Sequence, residues 1–193
     1  ADSLEQVTGL LVLDLIPPKY KTAFAELHER VLAGETRQLE FEMVGLKGGH
    51  RWVETHAGPM RDKGETLHLA VTRDITERKR MEEALRRYEM AVEQSSDGIA
   101  IADPEGGLTF VNRAWARMHG YEISEMIGQH LSINHTSEQI ESDVGPFNRE
   151  VVKKGEHRGE VGHRRKDGTT FPTWMSTTVL KDAQGKPVGL VGI

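Results

Sequence analysis

Gly49-His50-Arg51-Trp52-Val53-Glu54-Thr55, followed by Met60-Arg61-Asp62-Lys63-Gly64, returns 119 to 121 residues later as Gly168-Thr169-Thr170-Phe171-Pro172-Thr173-Trp174 and Leu180-Lys181-Asp182-Ala183-Gln184-Gly185. Leu4-Glu5-Gln6-Val7-Thr8-Gly9 is answered at the same distance by Ser124-Glu125-Met126-Ile127-Gly128. A fixed offset kept over separated segments marks an internal repeat. The chain therefore reads as one unit written twice, with the counterpart of everything before Tyr121 missing from the first copy.

Outward from these segments, each copy predicts the same meander. Leu39-Glu40-Phe41-Glu42-Met43 alternates apolar and polar residues, as a strand with one buried face must. Lys47-Gly48-Gly49 and Asp62-Lys63-Gly64 supply hairpin turns on either side of Trp52–Thr55, and Leu67–Val71 gives a third strand. The second copy repeats this with Gly159–His163, Thr170–Leu180 and Val188–Ile193. In front of them it adds Gly98–Ala102 and Leu108–Val111, joined by a turn at Asp103–Gly107. Short helices are expected between the second and third strands: from an Asn112 N-cap through Met118, at Ser124–Ile127 and at Pro146–Lys154. Five strands with helices on one face make an α+β fold.

Composition narrows the function classes. At 193 residues and 21.6 kDa, with 37% hydrophobic and 28% charged residues and a mean hydropathy of −0.51, the chain suits two small globular domains. The longest aliphatic run, Leu10–Leu13, is far short of the ~20 apolar residues a bilayer requires. Ala1-Asp2-Ser3-Leu4-Glu5 does not read as a signal peptide, so a cytoplasmic location is expected, with no membrane contact in this segment. A net charge of −5 builds no broad footprint for nucleic acid, and the clusters Arg78-Lys79-Arg80 and Arg164-Arg165-Lys166 read as solvated surface. Zero cysteines remove disulfides, thiolate nucleophiles and thiolate zinc sites. The nine histidines show no HExxH spacing, and His119, His130 and His135 are expected on the surface. No nucleophile–base spacing or phosphate-cradling glycine loop is present, so the chain is expected to be non-catalytic.

Between the copies, Asp74 and Thr76 can satisfy the exposed N–H groups of a helix start. Beyond them Met81, Leu85, Tyr88 and Val92 recur at three- and four-residue spacing. This predicts an amphipathic helix of about twenty residues. Its apolar stripe either packs on a sheet of its own chain or pairs with a second subunit in a parallel coiled coil.

The ordered series Ser96-Asp97-Gly98-Ile99, Phe110-Val111-Asn112-Arg113-Ala114, Gly120-Tyr121, Glu125-Met126-Ile127-Gly128, Arg165-Lys166-Asp167-Gly168 and Gly189–Ile193 resembles a PAS domain. Asp74-Ile75-Thr76-Glu77-Arg78-Lys79 is similar to the signature with which that family leaves its last strand for an exit helix. The resemblance implies a five-stranded antiparallel PAS sheet in the second copy, in tandem with a truncated first copy. The implied layout is a truncated PAS domain over residues 1–75, a signalling helix over 76–95 and a PAS domain complete through its fifth strand over 96–193.

The implied role is sensory input and signal relay in a two-component histidine kinase, with the kinase domain downstream in cis and a homodimer formed through the linker helix and PAS faces. The rivals are a ligand-free dimerisation spacer and the sensor region of a diguanylate cyclase. Asp74, Thr76, Met81, Leu85 and Tyr88 are the relay candidates. PAS domains enclose a cavity between sheet and helices. Along Thr170–Leu180 the more apolar face carries Met175 with Thr173 and Thr177, and Trp115 and Met118 lie on the helix after Asn112, so these five are the candidate lining for a small-molecule ligand. The plainer reading is a filled core with the threonines bonded to backbone carbonyls. The cofactor is left unknown: cysteinyl-flavin photochemistry is excluded for want of a cysteine, and haem is disfavoured because Gln139–Lys154 holds no histidine.

Overall fold

Lys63 and Gly64 take φ of 48° and 89° and join two strands through a two-residue loop, the left-handed pair that a tight hairpin with the natural strand twist requires. This turn fixes the register of the first sheet. The computed structural model describes Gln6 and residues 8–193; Leu4, Glu5 and Val7 of the repeated segment Leu4–Gly9 lie outside the described residues. The chain divides into two units between Arg86 and Arg87.

In the first unit, α1 (Pro18–Leu32) precedes β1 (Arg37–Val44), β2 (His50–Asp62) and β3 (Glu65–Asp74), an antiparallel sheet in the order β1-β2-β3. β2 runs well past the expected Trp52–Thr55 and includes Pro59. Pro59 lies beyond the β1 pairing, which ends at Ala57, so it has a single strand neighbour and its missing N–H is tolerated as at a sheet edge. α1 lays Leu27 and Val31 over Leu39 and Ala57, while Ile16, Phe41 and Val53 form a second cluster with Tyr20 and Phe24. β3 is one edge of this sheet, and its Leu69 and Val71 are exposed.

α2 (Thr76–Glu93) follows as a single helix of 18 residues, across which the division between units falls.

The second unit has a five-stranded antiparallel sheet in the order β5-β4-β8-β7-β6, from β4 (Ala100–Ala102), β5 (Leu108–Val111), β6 (Glu156–Arg164), β7 (Thr170–Lys181) and β8 (Pro187–Gly192). Its last three strands repeat the order of β1, β2 and β3 in the first unit. Between β5 and β6 run α3 (Arg113–His119), α4 (Ile123–Met126), α5 (Ser137–Gln139) and α6 (Gly145–Lys154). Asn112 caps α3 as expected, its side chain accepting the Trp115 N–H.

The expected helix at Pro146–Lys154 is preceded by something periodicity does not reveal. Ile140–Val144 is a π-helix, with the Gly145 N–H reaching back to the Ile140 carbonyl. A Cβ on Gly145 would stand 3.1 Å from that oxygen, so the wide turn favours glycine. Two core clusters result, one of Leu108, Val111, Trp115 and Met126 and one of Val144, Phe147, Val151 and Val161, and Met175 packs against both.

Candidate functional site

The start of α2 is tied to the beginning of β2. Ile75 donates its N–H to the Trp52 carbonyl at 2.8 Å, and the Thr76 hydroxyl oxygen accepts the Trp52 N–H at 2.9 Å. Asp74 Oδ1 accepts the Thr76 N–H at 2.8 Å, while Arg51 Nη1 donates to Oδ2 at 3.0 Å. These hydrogen bonds, the Thr76 contacts first, hold the Asp74 carboxyl below its usual range. The expectation that Thr76 caps the helix is corrected in one respect: Asp74 satisfies the helix N–H, and the Thr76 hydroxyl is used by the strand. Glu40 on β1 meets both Lys79 at 2.6 Å and Arg78 at 2.8 Å, which together depress its carboxyl to about 2.

Met81, Leu85 and Tyr88 are 61%, 59% and 70% exposed, and α2 buries no residue. Of the two readings of the stripe, packing on the chain's own sheet is thus not what forms. At its far end the Val92 carbonyl accepts from Asn112 Nδ2 at 2.9 Å. Asn112, fully buried, also donates to the Asp97 carbonyl and accepts the Ile99 and Trp115 N–H groups, so it does far more than the expected capping.

Inside the second unit, sheet and helices enclose a cavity of about 80 Å³. Of the five expected lining residues, Trp115, Met175 and Thr177 are there; Thr173 and Met118 are not. Thr173 spends its hydroxyl on the Val161 carbonyl at 2.8 Å, the plainer alternative for a core threonine, and with Met118 it borders a separate open cleft near Gly98.

The cavity also brings together residues that spacing does not reveal. His119, His135 and His163 are all buried, which corrects the expectation of a surface position for His119 and His135, while His130 is exposed as expected. His119 Nδ1 lies 2.8 Å from the Trp115 carbonyl, its Nε2 lies 2.8 Å from His163 Nδ1, and His135 Nδ1 lies 2.8 Å from the Gly162 carbonyl. The His135 and His163 rings stand edge to face at 4.7 Å. Burial is the first cause holding His119 down to about 4 and His163 to about 2, and it lowers His135 as well. All three rings are neutral at pH 7.

His135 and His163 line the cavity beside Asn134, and neither Asn134 Oδ1 nor Trp115 Nε1 has a hydrogen-bond partner among the described residues. No linear signal could have found this trio: His163 stands on β6, 44 residues after His119. A haem does not fit here. The cavity is far below the ~300–1,000 Å³ of pockets that hold drug-sized ligands, and the stretch from α5 through α6 carries no histidine. Among the described residues no cluster of three or more histidine or acidic side chains is arranged to hold a metal, and no helix is long and apolar enough to cross a membrane.

Comparison with known proteins agrees with this architecture. Residues 86–152 match a family model described as PAS domain, and residues 1–80 match one described as PAS fold. The oxygen sensor protein DosP of Escherichia coli K12 is 29% identical over 131 residues, covering 64% of this chain; the chain spans only 16% of that relative's length. A PAS domain from Colwellia psychrerythraea superposes with a TM-score of 0.53 at 22% identity, covering 56% of this chain and 92% of the other. The fold is the PAS fold.

Proposed function

Because this chain carries PAS domains, we propose that it is the sensory input and relay region of a longer cytoplasmic signalling protein whose output is a histidine kinase, with a diguanylate cyclase as the rival output. A relative named as an oxygen sensor supports the sensory role, and the similarity of Asp74–Lys79 to the exit signature of PAS domains supports relay into a downstream output. One observation carries the relay: α2 cannot shift at Ile75 and Thr76 without breaking the hydrogen bonds of both the N–H and the carbonyl of Trp52 in the neighbouring strand. A displacement of the sheet is thereby delivered to the helix.

The partner of α2 in this reading is a second copy of the chain. Met81, Leu85 and Tyr88 are four and three residues apart on one stripe, and charged Glu82, Glu83, Arg86 and Arg87 flank it. The absence of native cysteine makes the test direct. Leu85→Cys should oxidise to a disulfide-linked dimer, whereas Glu83→Cys on the flank should not. Spin labels on Leu85→Cys should report one narrow distance across the dimer, broadened by Thr76→Val. A monomer at all concentrations, or an identical distance distribution in both backgrounds, overturns the reading.

A further inference from the structure

The hydrogen-bond chain through the histidines fixes where their protons lie. A carbonyl only accepts, so His119 carries its hydrogen on Nδ1, facing the Trp115 oxygen. The neutral ring then has a bare Nε2, which accepts from His163 Nδ1–H. His163 is left with a bare Nε2 in turn. His135 donates Nδ1–H to the Gly162 carbonyl and likewise keeps a bare Nε2. Two of the cavity's lining rings thus contribute nitrogen lone pairs, and Asn134 adds an amide oxygen that is buried to 1% exposure with no partner. The Trp115 indole N–H is an unpaired donor among the same residues, and Thr177 supplies a buried hydroxyl.

The geometry points to a binding site in this cavity for a small uncharged molecule that donates hydrogen bonds, held by Asn134, His135 and His163, with Trp115 and Thr177 answering its acceptor. The inference rests on the sensory reading and names the ligand class for it. Three acceptors with no cationic side chain among the lining residues repel a carboxylate or phosphate. A cation would lose its hydration without a counter-charge. An apolar gas would leave the Asn134 oxygen and the Trp115 N–H as unsatisfied as they are now. At about 80 Å³, against a liquid share of about 30 Å³ for one water, the space suits a solute the size of a short amide or alcohol.

Acetamide and acetate are near-isosteres that differ in charge, and they separate the alternatives. Long-range nitrogen–proton NMR spectra of the histidine rings in the full chain are followed while each is added. Acetamide should shift His135 and His163 Nε2 saturably, with acetate at least about tenfold weaker. Gly192→Ala places a Cβ 2.9 Å from Met175 Cε and 3.7 Å from Thr177 Oγ1, narrowing the cavity, and should weaken the response. Thr177→Val keeps the side-chain shape and should do so without risk to folding. No saturable shift, which is the result if the cavity holds only water, overturns the proposal. So does equal binding of acetate, or an unchanged response in both variants. Ring shifts without any change in the Leu85→Cys spin-label distance would sink the sensory reading and leave the site standing. A distance change evoked by another molecule without ring shifts would do the reverse.

Discussion

The Thr76 hydroxyl oxygen stands 2.9 Å from the Trp52 amide nitrogen and 3.4 Å from the Trp52 carbonyl oxygen, so one side chain at the head of α2 serves both backbone polar groups of one residue in β2. Thr76→Val keeps the shape and strips that function. We expect a loss of about 1 kcal/mol in the first unit, with amide exchange accelerated at Trp52 and at the first turn of α2. Thr76→Ser should retain wild-type protection. Equal exchange at Trp52 in the valine and serine variants would contradict this account.

Asn112 makes four hydrogen bonds from a fully buried position, one of them to the Val92 carbonyl of α2. Asn112→Ala takes the acceptor from the Ile99 and Trp115 N–H groups and a donor from the Asp97 and Val92 carbonyls, the last of which keeps the Ser95 N–H. A loss of about 3 kcal/mol or more is expected, well above the ~1 kcal/mol typical of a lost N-cap alone. Chemical denaturation of the second unit measures it, and a loss no larger than that of a cap would reduce Asn112 to its local role.

Acid should weaken the second unit before any carboxylate is involved. In the unfolded chain each histidine takes up a proton near pH 6.5, which folded His119 refuses until about pH 4 and His163 until about pH 2. The unfolded state therefore binds more protons, and stability is full above about pH 6.5 and falls as pH drops through that value toward 4, by up to roughly 1.4 kcal/mol per pH unit for each ring. Beyond each other, the charged groups acting on the trio are Arg164 and Asp143 at His135 and Arg165 at His119; the two cations reinforce the effect and Asp143 opposes it. Thermal melting from pH 7 to pH 4 tests this. A flat profile, or ring protons of His119 and His163 titrating near pH 6.5 in the folded protein, would refute it.

Gly189 separates packing from chain flexibility. A Cβ there would sit well inside contact distance of the Ala102 backbone carbonyl, on the neighbouring strand β4. Gly189→Ala should cost about 1–3 kcal/mol. Gly49→Ala meets nothing within 4 Å and should stay within about 0.5 kcal/mol of wild type. The two melting curves decide it.

How much of this was legible in the sequence divides along physical lines. The hairpins at Asp62–Gly64 and Lys166–Gly168, the Asn112 cap and the alternation through Met175 and Thr177 follow from local conformational preference and period, and the structure has them. Two candidates failed for a reason alternation cannot express. Thr173 shares a strand face with Met175, yet its hydroxyl is already taken by Val161, and lining a cavity also requires position along the sheet. The histidine trio failed differently. Its members come from the end of α3, a loop and β6, so only the closure of the fold makes them neighbours. Ile140–Val144 keeps a helical composition, and nothing in its periodicity announces a wider winding.

That wider winding leaves the polypeptide one residue of slack. A π turn accommodates about one residue more than an α turn over the same rise, so trimming exposed Ser142 would let Ile140–Val144 rewind as ordinary α-helix while Phe147 and Val151 kept their seats on the sheet. Val144 at the end of this turn forms part of the cavity wall, so a change of length here would alter the cavity's shape while the strands stay in register.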